Sequence, residues 1–148
     1  MATSGIAGTL LPDSSTAHSV LGLPVQTIEE NSVSSMQGDS EKARLLGRTD
    51  LFLWDEGVMG HRYAFNCAHR LLHQMVANAA AESSSSSRNI ANAGKVFVIM
   101  GDLRQLHPVI PRGRQMEMVG ATFLRASYWA QVQVLELLQL NERVAQRQ

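Results

Sequence analysis

Two short apolar runs, each ending in acid, constrain the fold of this chain more than any other feature. The first reads Leu51-Phe52-Leu53-Trp54-Asp55-Glu56. The second reads Val96-Phe97-Val98-Ile99-Met100-Gly101-Asp102-Leu103-Arg104-Gln105. A short apolar run bounded by polar residues is the pattern of a strand buried on both faces, as in a parallel sheet. Ligands of such sheets sit beyond the carboxyl ends of the strands. Two neighbouring strands of this kind deliver Asp55, Glu56, Asp102, Arg104 and Gln105 to one edge. That set suits a magnesium–nucleotide site, where the metal takes hard oxygen ligands, the attacking water needs a base and the γ-phosphate needs polar contacts.

The rest of the chain alternates helical and loop signals. Thr3 to Leu11 is small and apolar, and Pro12-Asp13-Ser14-Ser15 breaks it. Thr16 to Gly22 reads as a short helix capped by Ser15 or Thr16, and Leu23 to Gly38 as a loop. Asp39 or Ser40 caps a helix through Glu41-Lys42-Ala43-Arg44-Leu45-Leu46, which Gly47 closes. Ala64, Cys67, Ala68, Leu71, Leu72, Met75, Val76 and Ala79 recur at helical steps, with Arg62, Asn66, His69, Arg70, His73 and Asn78 on the other face. Residues 83–88 are serine-rich and read as a surface loop. After the Val96 strand come a proline-containing loop from Gln105 to Gly113, a short helix in Phe123 to Trp129, and a last strand from Val132 to Leu138. Strands separated by helices indicate an α/β domain with a mostly parallel sheet.

Length and composition narrow the class. The chain has 148 residues, enough for one domain, and is 45% hydrophobic, enough for a core. Thirteen basic residues balance thirteen acidic ones. Any nucleic-acid binding therefore rests on a local groove rather than a global field. The single cysteine, Cys67, excludes an internal disulfide and fits a reducing, intracellular compartment. No apolar run has membrane-helix length, and no signal peptide is evident. Cys67 lies on the apolar helix face, the place of a buried inert thiol. His69 and His73 have a spacing that can bind metal, but no further ligand accompanies them, so a solvated face is the better reading.

An acidic pair closing a hydrophobic strand fits the Walker B arrangement of nucleotide hydrolases, and taken alone it equally fits a solvated strand end. More specific is Gly101-Asp102-Leu103-Arg104-Gln105, followed by His107-Pro108-Val109-Ile110-Pro111. It resembles the third motif of the Pif-type (petite integration frequency) DNA helicases, RecD-like members of helicase superfamily one, which reads Gly-Asp-Phe-Arg-Gln. Ala2-Thr3-Ser4-Gly5-Ile6-Ala7 is similar to the family's motif after its second strand, and Thr16-Ala17-His18-Ser19 to its Thr-x-His-Ser element. Trp54-Asp55-Glu56, Met59 and His61-Arg62-Tyr63-Ala64-Phe65 resemble its Walker B and next helix, closest to the transposon-associated branch. Ser127-Tyr128-Trp129 and Leu138-Gln139-Leu140-Asn141-Glu142-Arg143 resemble the stretch ending in Asn-x-Arg. The resemblance covers nearly the whole chain.

It implies a RecA-like nucleotide-hydrolase core, the first motor domain of an ATP-dependent five-prime to three-prime DNA helicase, incomplete at its N-terminus. Asp55 then coordinates magnesium, Glu56 is the general base, Gln105 senses the γ-phosphate and Arg143 acts as an arginine finger. Asp102 and Arg104 join the nucleotide site, although Arg104 equally fits a structural pairing with a nearby acid. Thr3, Ser4, Thr16 and His18 face single-stranded DNA. The implied partners are ATP with Mg2+ and single-stranded DNA, the implied compartments nucleus or mitochondrion, and the implied processes telomere maintenance, repair and recombination. Oligomeric state is not legible. The chain departs from the family at Leu103, His107, Gly57 and Glu142, and it carries no Gly-x-x-x-x-Gly-Lys-Ser/Thr loop. That absence sets a competing expectation: an inactive remnant that at most binds DNA or a protein partner.

Overall fold

The computed structural model describes residues 1–80, 91–102, 104 and 107–135. Within them the order is α1 (Gly5–Leu10), α2 (Ala17–Leu21), α3 (Glu41–Arg48), β1 (Leu51–Trp54), α4 (Arg62–Ala80), β2 (Val96–Ile99) and α5 (Gln115–Ala121). Short 3-10 turns follow β1 at Gly57–Met59 and precede β2 at Ala91–Gly94.

The two apolar runs are strands, and they pair in parallel with Leu51 opposite Val96 and Trp54 opposite Ile99. Parallel partners need a crossover, and α4 supplies it. Ala2 forms a further parallel bridge to Asp55 and another to Thr16. The architecture is the expected α/β one.

One expectation fails. The strands are not buried on both faces. Phe52 and Trp54 are buried, but Leu51, Leu53, Val96 and Val98 on the opposite face are 37–56% exposed. Among the described residues the helical layer packs on one face only. There the rings of Phe52 and Phe97 stack at 5.0 Å, and Trp54 meets Phe65 at 4.5 Å.

α4 is the spine of that layer. Ala64, Phe65, Cys67, Ala68, Leu71, Leu72 and Met75 are all buried, following the helical period of the sequence. Its other face is less solvated than expected. Asn66 is buried, and its Oδ1 accepts bonds from the Ser127 N–H (3.0 Å) and hydroxyl (3.1 Å). His69 stacks on Tyr128 at 4.7 Å, and His73 Nε2 accepts from the Ala93 N–H at 3.3 Å. These histidines join α4 to the chain beyond it. Among the described residues there is no cluster of side chains fit to hold a metal on protein ligands alone, and no helix is long and apolar enough to cross a membrane.

Local signals resolve as follows. Thr16 caps α2 and Ser40 caps α3, each hydroxyl accepting a backbone N–H of the first turn. Gly47 does not close α3, which runs on to Arg48. Gln115–Ala121 is a helix that the sequence reading left unassigned. Phe123 to Trp129 holds short 3-10 turns rather than one helix, and residues 132–135 form no strand. The serine-rich 83–88 segment and residues 136–138 of the expected last strand lie outside the described residues.

Candidate nucleotide and single-strand site

The strand register brings the acids together. Because Trp54 pairs with Ile99, the carboxyl ends of β1 and β2 open on one edge, with Asp55 and Glu56 beside Gly101 and Asp102. The Met100 N–H donates to the Trp54 carbonyl and the Gly57 N–H donates to the Met100 carbonyl, both at 2.9 Å, so the two strand exits are stitched. Glycine is needed twice here. Gly101 has φ +148°, and a Cβ there would sit 2.6 Å from Val58 Cγ2. A Cβ on Gly57 would sit 2.5 Å from Ile99 Cγ2. The close approach of the two loops explains why Gly57, one of the departures noted above, suits this chain.

Glu56 adopts a left-handed backbone, φ 49° and ψ 28°. A residue with a Cβ is disfavoured there by about 1–2 kcal/mol, and such outliers persist where surrounding bonds fix them. The bonds are present. The Glu56 N–H donates to Asp55 Oδ1 at 3.0 Å. The Thr3 hydroxyl donates to the Glu56 carbonyl at 2.8 Å and accepts from the Trp54 indole N–H at 2.9 Å. The Ser4 hydroxyl donates to Glu56 Oε2 at 3.1 Å. Glu56 is half-buried next to Asp55.

A magnesium ion fits the donor set present. Asp55 offers a half-buried carboxylate at the sheet edge, engaged by one backbone N–H. Magnesium is commonly held by one or two carboxylates with nucleotide phosphates and waters completing the octahedron. Asp102 is exposed and accepts the Arg104 backbone N–H at 2.8 Å, an Asx turn that shapes the loop after β2. Arg104 is exposed at the same edge. Gln105 and Arg143 lie outside the described residues, as do Leu103 and Glu142.

Thr3, Thr16 and His18 line one open cleft of about 510 Å³, with Ser19, Gly22, Leu23, Val25 and Ser35. Ser4 stands beside it and turns its hydroxyl to Glu56. Burial lowers the His18 pKa below its ordinary value, so the ring is neutral at neutral pH. Lys42 Nζ donates to the Ser19 carbonyl and brings a cation to the rim. Sequence reasoning missed Lys42, because a contact 23 residues away leaves no local signal.

Comparisons with known proteins bear on the fold and the family. A sequence profile described as PIF1-like helicase matches residues 1–148. Pif1 from Bacteroides bound to single-stranded DNA superposes with TM-score 0.64 at 24% identity, covering 88% of this chain and 29% of that one. The Bacteroides enzyme with ADP-AlF3 and single-stranded DNA gives 0.65 at 24%, covering 86% and 28%. Pif1 helicase from Candida albicans gives 0.65 at 21%, covering 87% and 26%. The chain thus spans less than a third of the length of these solved proteins. No curated protein sequence is significantly similar to it. With a parallel α/β core of Pif1 type and a profile match along its whole length, this chain belongs to the PIF1-like helicase family.

Proposed function

We propose that this chain supplies part of the first motor domain of an ATP-dependent DNA helicase moving five-prime to three-prime on single-stranded DNA. The observation that carries the reading is the Asp55–Glu56 pair at the strand edge, with Glu56 pinned in a left-handed turn beside the Gly101–Asp102 loop. In this reading Asp55 holds magnesium, which neutralises charge on the β- and γ-phosphate oxygens. Glu56 takes the proton of the attacking water. Asp102 and Arg104 border the nucleotide, Gln105 senses its γ-phosphate, and Arg143 meets the charge that develops in the transition state. The Thr3–Thr16–His18 cleft takes the single strand, with hydroxyls for phosphates, a neutral ring for a base and Lys42 at the rim. The family relatives with single-stranded DNA and a nucleotide analogue support the choice of ligands. Membership of the transposon-associated branch, a nuclear or mitochondrial location and a role in telomere maintenance, repair or recombination are parts of the same proposal.

Fluorescence anisotropy with a labelled oligothymidylate tests the cleft directly on the 148-residue chain. Binding should weaken with salt, His18→Ala should weaken it at all salt concentrations, and Lys42→Ala should reduce the salt slope by about one. Absence of binding at low salt, or binding that ignores both substitutions, would contradict the assignment of the cleft.

A further inference from the structure

We propose that Ser4 is a positioning residue for the Glu56 carboxylate; the inference rests on the reading of Glu56 as general base. Ser4 is the N-cap of α1, and a cap needs only an acceptor. Its Oγ accepts the Ala7 N–H at 3.1 Å. The hydroxyl proton is therefore free for a second task, and it is donated to Glu56 Oε2 at 3.1 Å across 52 residues of sequence. Thr3 completes the grip by donating to the Glu56 carbonyl, while the Thr3 N–H donates to the Asp55 carbonyl at 3.0 Å. Residues 3 and 4 thus hold the backbone and one carboxylate oxygen of Glu56, and among the described residues no bond engages Oε1. A half-buried glutamate side chain still has several rotamers, and only some aim an oxygen at the reacting water. Holding one oxygen selects among them, which is what general-base catalysis needs.

The chemistry of capping separates this role from a structural one. Ser4→Asp keeps a good N-cap acceptor but cannot donate and sets a like charge against Glu56. Ser4→Thr keeps both functions. Ser4→Ala loses both. In the 148-residue chain, NMR of Ser4→Asp should show the Glu56 side-chain carboxyl carbon moved, with the Ala7 amide that reports the cap little changed. Turnover is read in a form extended by a phosphate loop before Met1 and a second motor domain after Gln148. There Ser4→Asp and Ser4→Ala should lower kcat about tenfold to hundredfold, the worth of one hydrogen bond to a charged group. KM for ATP should stay within about twofold, and Ser4→Thr should restore turnover. If Glu56→Gln stops hydrolysis but Ser4→Asp turns over like the parent, the positioning role is overturned and the general base stands. If Glu56→Gln turns over normally, the general-base reading falls, and this inference with it.

Discussion

Replacing Thr3 with valine tests how tightly the acidic strand end is wired. Valine keeps the branched shape but removes the hydroxyl that bridges the Trp54 indole N–H and the Glu56 carbonyl. Trp54 is fully buried, so its N–H finds no water when the partner is lost. An unsatisfied buried donor costs about 1–3 kcal/mol. The Glu56 carbonyl keeps its bond from the Met59 N–H at 3.1 Å, so its loss is only the net worth of one bond, about 0.5–1.5 kcal/mol. Together the two come to about 1.5–4.5 kcal/mol, a fall in Tm of roughly 3–18 °C for a chain of this length. Thr3→Ser is the control: it keeps the bridge and loses one methyl, about 0.8 kcal/mol. Urea and thermal unfolding followed by circular dichroism give the stabilities, and the indole N–H resonance of Trp54 reports the bond itself. Thr3→Val as stable as Thr3→Ser, or an unmoved Trp54 resonance, would refute the reasoning.

Other outcomes follow from the same geometry. Gly101→Ala should destabilise by about 1–3 kcal/mol through the clash with Val58, and Val58→Ala should recover part of that in a double-mutant cycle by urea unfolding. Leu72→Ala, at a fully buried position on α4, should lose about 2–5 kcal/mol in the same assay. Burial lowers the pKa of His18 and His61 below the ordinary 6.5, so the unfolded chain takes up their protons first as pH falls. Their contribution to stability is whole above pH 6.5 and is lost as pH falls through the folded pKa values; His18→Gln should flatten that slope. Burial also pushes the Cys67 thiol up, against a partial opposing pull from Arg70, so a disulfide reagent should modify it only as the chain unfolds.

What the sequence disclosed was local. The strands at Leu51 and Val96 and the helix from Arg62 announce themselves by runs and periods, and the acids at the strand ends come with them. Ser40 was one of two adjacent cap residues, and the bond to Ala43 decides it. α5 was hidden because Pro111 and Gly113 just before it and Gly120 within it read like a loop, while Met116, Val119 and Ala121 give too short a period to register. The Val132 run has the composition of a strand, but pairing is a property of a partner, and residues 132–135 have none in a ladder. The exposed second face of β1 and β2 was read as buried because side-chain composition alone does not say what layer lies above a sheet. In the site, Asp55 and Glu56 were legible, whereas the Ser4–Glu56 and Thr3–Trp54 bonds span 52 and 51 residues and belong to tertiary structure alone.

The central proposal is that Asp55 and Glu56 form the hydrolytic centre of an ATP-driven motor that moves on single-stranded DNA. Its most direct test is ATP hydrolysis by the extended form, measured with magnesium and with or without oligothymidylate, beside nucleotide binding by titration. The parent should hydrolyse ATP and be stimulated by the oligonucleotide. Glu56→Gln should bind nucleotide nearly as the parent does yet fail to turn it over, because an amide cannot accept the water's proton. Asp55→Asn should weaken magnesium-dependent binding as well. Normal turnover in both variants would contradict the account.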